Sequence, residues 1–414
     1  MARVRPFSGL RFDPGRIALG DVIAPPYDVI SPKLQEQLYS RAMQNIVRVE
    51  LGRSYDSDLE GERDRYTRAR DHLKVWREQG FLLRDQAPSL YLHRHTFSAP
   101  DGSGERIRLG CFAAVEPVPH ERREVLRHEL TLSKAREDRL QLLLATGVQT
   151  SPIFLLYENS AQVTAAMRAQ TELGPELAGA VVDGDYGAER HQLWRVSDGE
   201  AISAITEGLS RARLFIADGH HRYETALGLH LPGVLALLSP LDDPANTILP
   251  THRLLPVSRL NADELMTALV GVGWEVERVD GVAAGLRRIG ELVTTNHAFV
   301  ILDSGTKWVV ARRRQASYRD GAGAPLDVAV LDREILEAQL GVDGSASESG
   351  RLRYSRDAKE VEQLVETRGA LGLLLNATTV QEMAIAAAAG EAMPQKSTYF
   401  FPKVPAGLIL MPNQ

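Results

Sequence analysis

Five polar side chains crowd into one short stretch, Asp218-Gly219-His220-His221-Arg222-Tyr223-Glu224. Ahead of it, Arg213-Leu214-Phe215-Ile216-Ala217 is short, apolar and rich in β-formers, which predicts a buried strand. Asp218-Gly219 signals a turn or cap, and Thr225 to Leu229 reads as a helix. A strand-to-helix junction offers backbone N–H groups to an anion, and Arg222 adds a planar fork for a phosphate or carboxylate. The plain alternative is a capped helix start whose His and Arg satisfy backbone carbonyls. So much polarity beside a core strand is costly unless it is used, which favours a functional cluster.

Four further groups carry chemistry. His128-Glu129 precedes a helix expected to begin near Ser133, on which Lys134 and Asp138 share one face and Arg136 and Arg139 another. Glu129 suits a metal ligand or proton acceptor, and Lys134 and Arg139 suit phosphate; the alternative is a solvated charged helix. Lys396-Ser397-Thr398 supplies small and cationic donors of the kind that hold phosphate, but Gly390 is wrongly spaced for a Walker loop. Pro25-Pro26 predicts a rigid turn displaying Tyr27 and Asp28, and Thr251-His252-Arg253 reads as a strand end with a polar tip. The expected phosphate-binding set is thus Arg222, Lys134, Arg139, Lys396, Ser397, Thr398 and His252, with Tyr27 and Asp28. There is no Gly-x-Ser-x-Gly elbow, Rossmann fingerprint or zinc-spaced Cys/His set. Dispersed Asp, Glu, His, Lys and Arg suit magnesium and phosphoryl transfer better than acyl chemistry.

The elements that must position these groups read as α+β with a mixed-sheet core. Leu59 to Gln79 predicts a long helix, and Leu90–Phe97 with Ile107–Val115 a hairpin turning at Asp101-Gly102-Ser103-Gly104. Ser133–Ala145 predicts a helix ended by Gly147, and Pro152–Tyr157 a buried strand. Residues 1–255 are expected to form the main body, 256–325 a small α+β module, and 326–414 a segment returning to the main body. Arg314–Ala324 and Gly341–Gly350 look flexible. A net charge of −6 argues against a nucleic-acid partner. The single cysteine, Cys111, forms no intrachain disulfide and reads as a buried inert thiol. No run reaches membrane-spanning length and no signal-peptide core follows the first residues, so a cytoplasmic location is expected.

Several of these segments resemble the family catalogued as domain of unknown function 1015, over nearly the full length. The matching stretches include Ala24-Pro25-Pro26-Tyr27-Asp28, Asn45-Ile46-Val47-Arg48-Val49-Glu50-Leu51, Ser151-Pro152-Ile153-Phe154, Asp218 to Ala226, Leu249 to Arg253 and Met393 to Phe400. Asp218-Gly219-His220-His221-Arg222 is also similar to the Asp-Gly-His-x-Arg motif of free-serine kinases of the ParB/sulfiredoxin-like fold. That resemblance implies such a fold at this junction, Asp218 near metal and hydroxyl, and His220, His221 and Arg222 toward phosphate. It also implies a separate catalytic Glu, for which Glu50 and Glu129 are the candidates. The combined expectation is a Mg2+-dependent phosphotransferase acting on a small hydroxylated metabolite, serine being the leading candidate, with ATP or ADP. Asp218, His220, His221 and Glu129 are then catalytic, and Asp218 and Glu129 hold the metal. A phosphatase for phosphoserine or a similar ester, and a non-catalytic nucleotide-binding regulator, are the alternatives.

Overall fold

The computed structural model describes residues 2–129, 133–158, 161–314, 326–343, 346 and 349–413. Of residues 133–135 only the backbone is described, so the Lys134 side chain lies outside, as do residues 315–324 of the first stretch expected to be flexible and 344, 345, 347 and 348 of the second. The architecture is α+β, divided into two compact units. Unit 1 comprises residues 1–127, 131–246 and 402–414; unit 2 comprises 128–130 and 247–401. Residues 256–325 and 326–401, expected as separate segments, therefore share one unit.

Unit 1 is built on a nine-stranded mixed sheet. Its central strands are β1 (Leu90–Ser98), β2 (Glu105–Val115), β3 (Ile153–Tyr157), β4 (Gly187–Val196), β5 (Leu214–Asp218) and β6 (Val234–Pro240). They run in the order β5-β3-β6-β2-β1-β4. Only the β3–β6 pair among these is parallel. The expected hairpin forms as β1–β2, with Leu92 opposite Cys111.

Alternation gives this sheet two different faces. Leu90, Leu92, Cys111, Ala113, Ile153, Leu155, Tyr157, Leu214 and Ile216 join one apolar core with Tyr223 and Ala226. Burial there pushes the Cys111 thiol up to about 12, as an inert thiol requires. On the strands between, His93 and His95 of β1, Arg108 of β2 and His191 of β4 are all buried. His95 sits opposite both His191 and Arg108 in register.

Three helices of unit 1 flank or carry the polar groups singled out in the sequence: α1 (Arg65–Glu78), α2 (Ser133–Thr146) and α3 (His220–Gly228). Helix α1 starts six residues later than the expected Leu59. Asp64 and Thr67 form a reciprocal capping box, which satisfies first-turn N–H groups and fixes the start there.

Unit 2 carries a six-stranded sheet whose pairs are all antiparallel. Its hairpin, Asn296–Leu302 with Lys307–Arg313, turns at Asp303-Ser304-Gly305-Thr306. Asn261 caps the helix Ala262–Gly271. Among the described residues no helix is long and apolar enough to cross a membrane.

Candidate functional site

Strand β5 ends irregularly: its register against β3 shifts between Ile216 and Asp218. An extra residue in one strand bends it and re-aims the side chains that follow. Gly219 comes next with φ +94, a conformation that side-chain-bearing residues rarely adopt. A Cβ there would lie 2.9 Å from Ile153 Cγ2 and 3.0 Å from Arg222 Nη2. Glycine is thus required twice, for backbone angle and for space. It begins α3 without a side-chain cap, and Arg222 folds back from the first turn across it.

Arg222 and Lys403 both grip Asp218. Arg222 Nη2 donates to Asp218 Oδ2 at 2.8 Å, and Lys403 Nζ donates to Oδ1. Burial alone would raise this carboxyl, but Lys403 and then Arg222 outweigh it and hold it well below the ordinary carboxylate range. Arg222 Nη1 also donates to Ser151 Oγ at 3.0 Å and to the Pro152 carbonyl.

Ser151 links this group to a second buried carboxylate. Its hydroxyl donates to Glu50 Oε1 at 2.8 Å, and Thr150 donates to Oε2. Arg139 of α2 completes the arrangement, with Nη1 3.1 Å from Glu50 Oε1 and Nη2 3.1 Å from the Glu50 carbonyl. Its other edge meets Asp138, which in turn accepts from Arg65 and, at 2.9 Å, from Tyr66 of α1. Tyr27 packs its ring 4.0 Å from the Arg139 guanidinium. Desolvation pushes the Tyr27 phenol up to about 12, so it stays protonated.

Part of this network lines a pocket, walled by Glu50, Arg139, Ser151 and Arg222 on the polar side and by Leu142 and Ala226 on the apolar side. Two guanidinium groups, fixed by buried carboxylates, face one concavity. That arrangement is suited to phosphate or carboxylate oxygens.

Of the expected site residues, Tyr27, Arg139, Asp218 and Arg222 are linked within unit 1 by these contacts. His220 is buried at the start of α3 and acts electrostatically on Asp218, helping to lower it after Lys403 and Arg222. His221 is half-buried one residue on, and Asp28 is exposed beside Tyr27.

Apart from Lys134, whose side chain lies outside the described residues, the remaining expected residues belong to unit 2, where they make a different arrangement. His128 Nε2 lies 2.8 Å from Thr398 Oγ1, and Thr398 donates onward to Glu129 Oε1 at 3.4 Å. Ser397 Oγ donates to the Pro394 carbonyl at 2.5 Å, closing a turn in which exposed Lys396 takes the left-handed φ of +59. His252 is buried in the sheet, where its Nδ1 accepts from the Leu375 N–H at 3.4 Å. Burial lowers it to about 4, so it is neutral and a weak anion ligand.

Magnesium requires open oxygen ligands. In unit 1 both Asp218 oxygens accept from cations, and both Glu50 oxygens accept from Arg139, Ser151 or Thr150. A magnesium ion at Asp218 would meet the Lys403 and Arg222 cations, and at Glu50 the Arg139 guanidinium, so like-charge repulsion and not want of lone pairs leaves these residues unfit for a protein-held magnesium ion. Three residues beyond the expected set complete the network: Thr150, Ser151 and Lys403. Lys403 follows the singled-out Lys396–Thr398 stretch, Ser151 opens the family-matching Ser151-Pro152-Ile153-Phe154, and Thr150 carries no signal beyond its place ahead of β3.

No curated protein matches the chain. Among solved structures, it is similar to a conserved hypothetical protein from Pyrococcus furiosus at 13% identity and TM-score 0.36, covering 68% of this chain and 90% of that one. A free serine kinase in complex with AMP has 13% identity and TM-score 0.37, with 67% and 83% covered. SbnI from Staphylococcus aureus, truncated at its C-terminus, has 12% identity and TM-score 0.35, with 69% and 83% covered. A family model matches residues 4–333, and the chain belongs to the family described as Protein of unknown function (DUF1015).

Proposed function

We propose that this protein is a phosphotransferase acting on a small hydroxylated metabolite, with free serine the leading acceptor and ATP or ADP the donor. The observation that carries this reading is the pocket of unit 1, where Arg139 and Arg222 converge beside an ionised Asp218. The Asp-Gly-His-His-Arg resemblance supports the same assignment.

In this reading Arg222 and Arg139 bind phosphoryl oxygens and stabilise charge that spreads over them during transfer. Lys403 adds a third cation through Asp218. A bond forms from the acceptor hydroxyl oxygen to phosphorus as the bond to the leaving nucleotide oxygen breaks, and the hydroxyl proton departs. A carboxylate held so far below its ordinary pKa is a poor proton store. Asp218 therefore orients the hydroxyl through a remaining lone pair and accepts its proton only as the new bond forms. Glu50 fixes Arg139 and Ser151 and acts as a positioning residue. His220 and His221 stand at the first turn of α3, where phosphate would meet the helix N–H groups. Because the unit 1 carboxylates do not fit magnesium, no step here runs through the metal.

The test incubates pure protein with serine, magnesium and ATP or ADP and follows phosphoserine, then runs phosphoserine with water. Phosphoserine formation that disappears in Asp218→Asn is the expected result. Turnover in neither direction overturns the serine assignment, and hydrolysis alone replaces the transferase with the phosphatase.

A further inference from the structure

The second face of the unit 1 sheet holds a polar group that plays no part in the proposed transfer. Its members are His93, His95 and His191, and a ring nitrogen from each lies within 4.8 Å of the others. Period-two alternation puts His93 and His95 on one face of β1, and the β1–β4 register sets His191 directly opposite His95. All three are at most 1% exposed. His93 Nε2 lies 3.0 Å from His191 Nδ1, close to the nitrogen spacing around a small cation, and the two rings are stacked. Phe97 and Phe112 border the group on the apolar side.

We propose that His93, His95 and His191 form a buried site for one divalent transition metal of the zinc class, with Glu189 as its carboxylate partner. Imidazole-rich sites select zinc, copper or nickel over magnesium or calcium. The carboxylate supports this directly: Glu189 Oε2 lies 2.9 Å from His95 Nε2 and 4.0 Å from His191 Nε2. The His191 Nε2 atom is buried and makes no hydrogen bond. A carboxylate touching ligand imidazoles fixes their tautomer and raises their basicity, or closes the coordination sphere itself. Glu189 retains 13% side-chain exposure, which gives the site its access to solvent.

Arg108 is the one feature that opposes a cation. Its Nη2 lies 3.3 Å from His95 Nδ1 and 3.0 Å from the Pro402 carbonyl. Burial works against its charge and pushes its pKa down to about 10, and Asp243 and Glu189 offset that only in part, so Arg108 stands as an incompletely compensated cation beside the histidines. The opposition yields a signature that a hydrogen-bonded histidine row would not share: Arg108→Gln strengthens metal binding.

The experiment uses the untagged full chain, stripped with chelator and titrated with Zn2+ alone. One zinc per chain and a raised melting temperature are expected, with affinity falling more than about 100-fold in His95→Gln and in His191→Gln. Arg108→Gln should bind more tightly than wild type. Should these variants fail to fold, X-ray absorption on the cobalt-loaded wild type decides, with imidazole scattering expected around the ion. No bound metal in the wild type, undiminished binding in His95→Gln, or a coordination shell without imidazole overturns the site.

Discussion

Unit 1 and unit 2 each hold a group of polar residues that the sequence marks for phosphate, and the two groups differ in kind. In unit 1, Asp218, Arg222, Lys403, Glu50 and Arg139 are formally charged and buried or nearly so, and Arg222, Glu50 and Arg139 of them line a pocket. In unit 2, His128, Thr398 and Glu129 form a hydrogen-bonded chain, and His252 is a neutral imidazole serving a strand. Buried charge is expensive, so a fold that fixes two arginines and a lysine against two carboxylates has placed them for something beyond stability. A hydrogen-bonded chain holding one carboxylate, and a neutral imidazole, need no such explanation. Residue type alone thus overstates a site, and charge held against a pocket is the stronger sign.

The largest effect expected is on chemistry. Asp218→Asn leaves Lys403 and Arg222 without their carboxylate, so it should cost about 3–5 kcal/mol by urea denaturation. In protein kept below its unfolding midpoint, it should lower phosphoserine formation by about 10²–10⁴. Equal loss of activity and fold would reduce Asp218 to a structural role. Next comes Arg139→Met, which leaves the Glu50 carboxylate buried without its cation. It should cost about 3–5 kcal/mol of stability by urea denaturation.

The third prediction contrasts unit 2 by pH. His252 has a folded value of about 4 against an unfolded value of about 6.5, so acid protonates the unfolded chain first. Its contribution is intact above about pH 6.5 and drains as the pH falls toward 4, by about 3 kcal/mol in all. His252→Gln should flatten urea midpoints across that window, and an unchanged slope would contradict the buried neutral imidazole. The smallest effect is Thr398→Val, which breaks the link between His128 and Glu129. A loss of about 1 kcal/mol is expected, with phosphoserine formation unchanged.

Much of the junction is legible in the sequence. An apolar strand, Asp-Gly and a following helix predict β5 and α3 because each signal is local. Glu50 is harder to read. It ends the four-residue helix Val47–Glu50, among apolar neighbours, and meets Arg139 across 89 positions of chain. Only the resemblance offers it as a candidate. His93 and His95 visibly share a face of β1, but His191 joins them through a strand register that no local pattern encodes. His252 looks like a polar tip, yet the sheet buries it at 2% exposure, because its neighbouring strands arrive from 100 residues further along.

Phosphate binding at the arginines of unit 1 underlies the whole functional assignment. It can be checked by calorimetric titration of ADP into wild type, Arg222→Met and Thr398→Val. At least a tenfold weaker Kd is expected in Arg222→Met, about 1.4 kcal/mol, with wild-type affinity in Thr398→Val. ADP binding to Arg222→Met at wild-type strength would contradict the assignment.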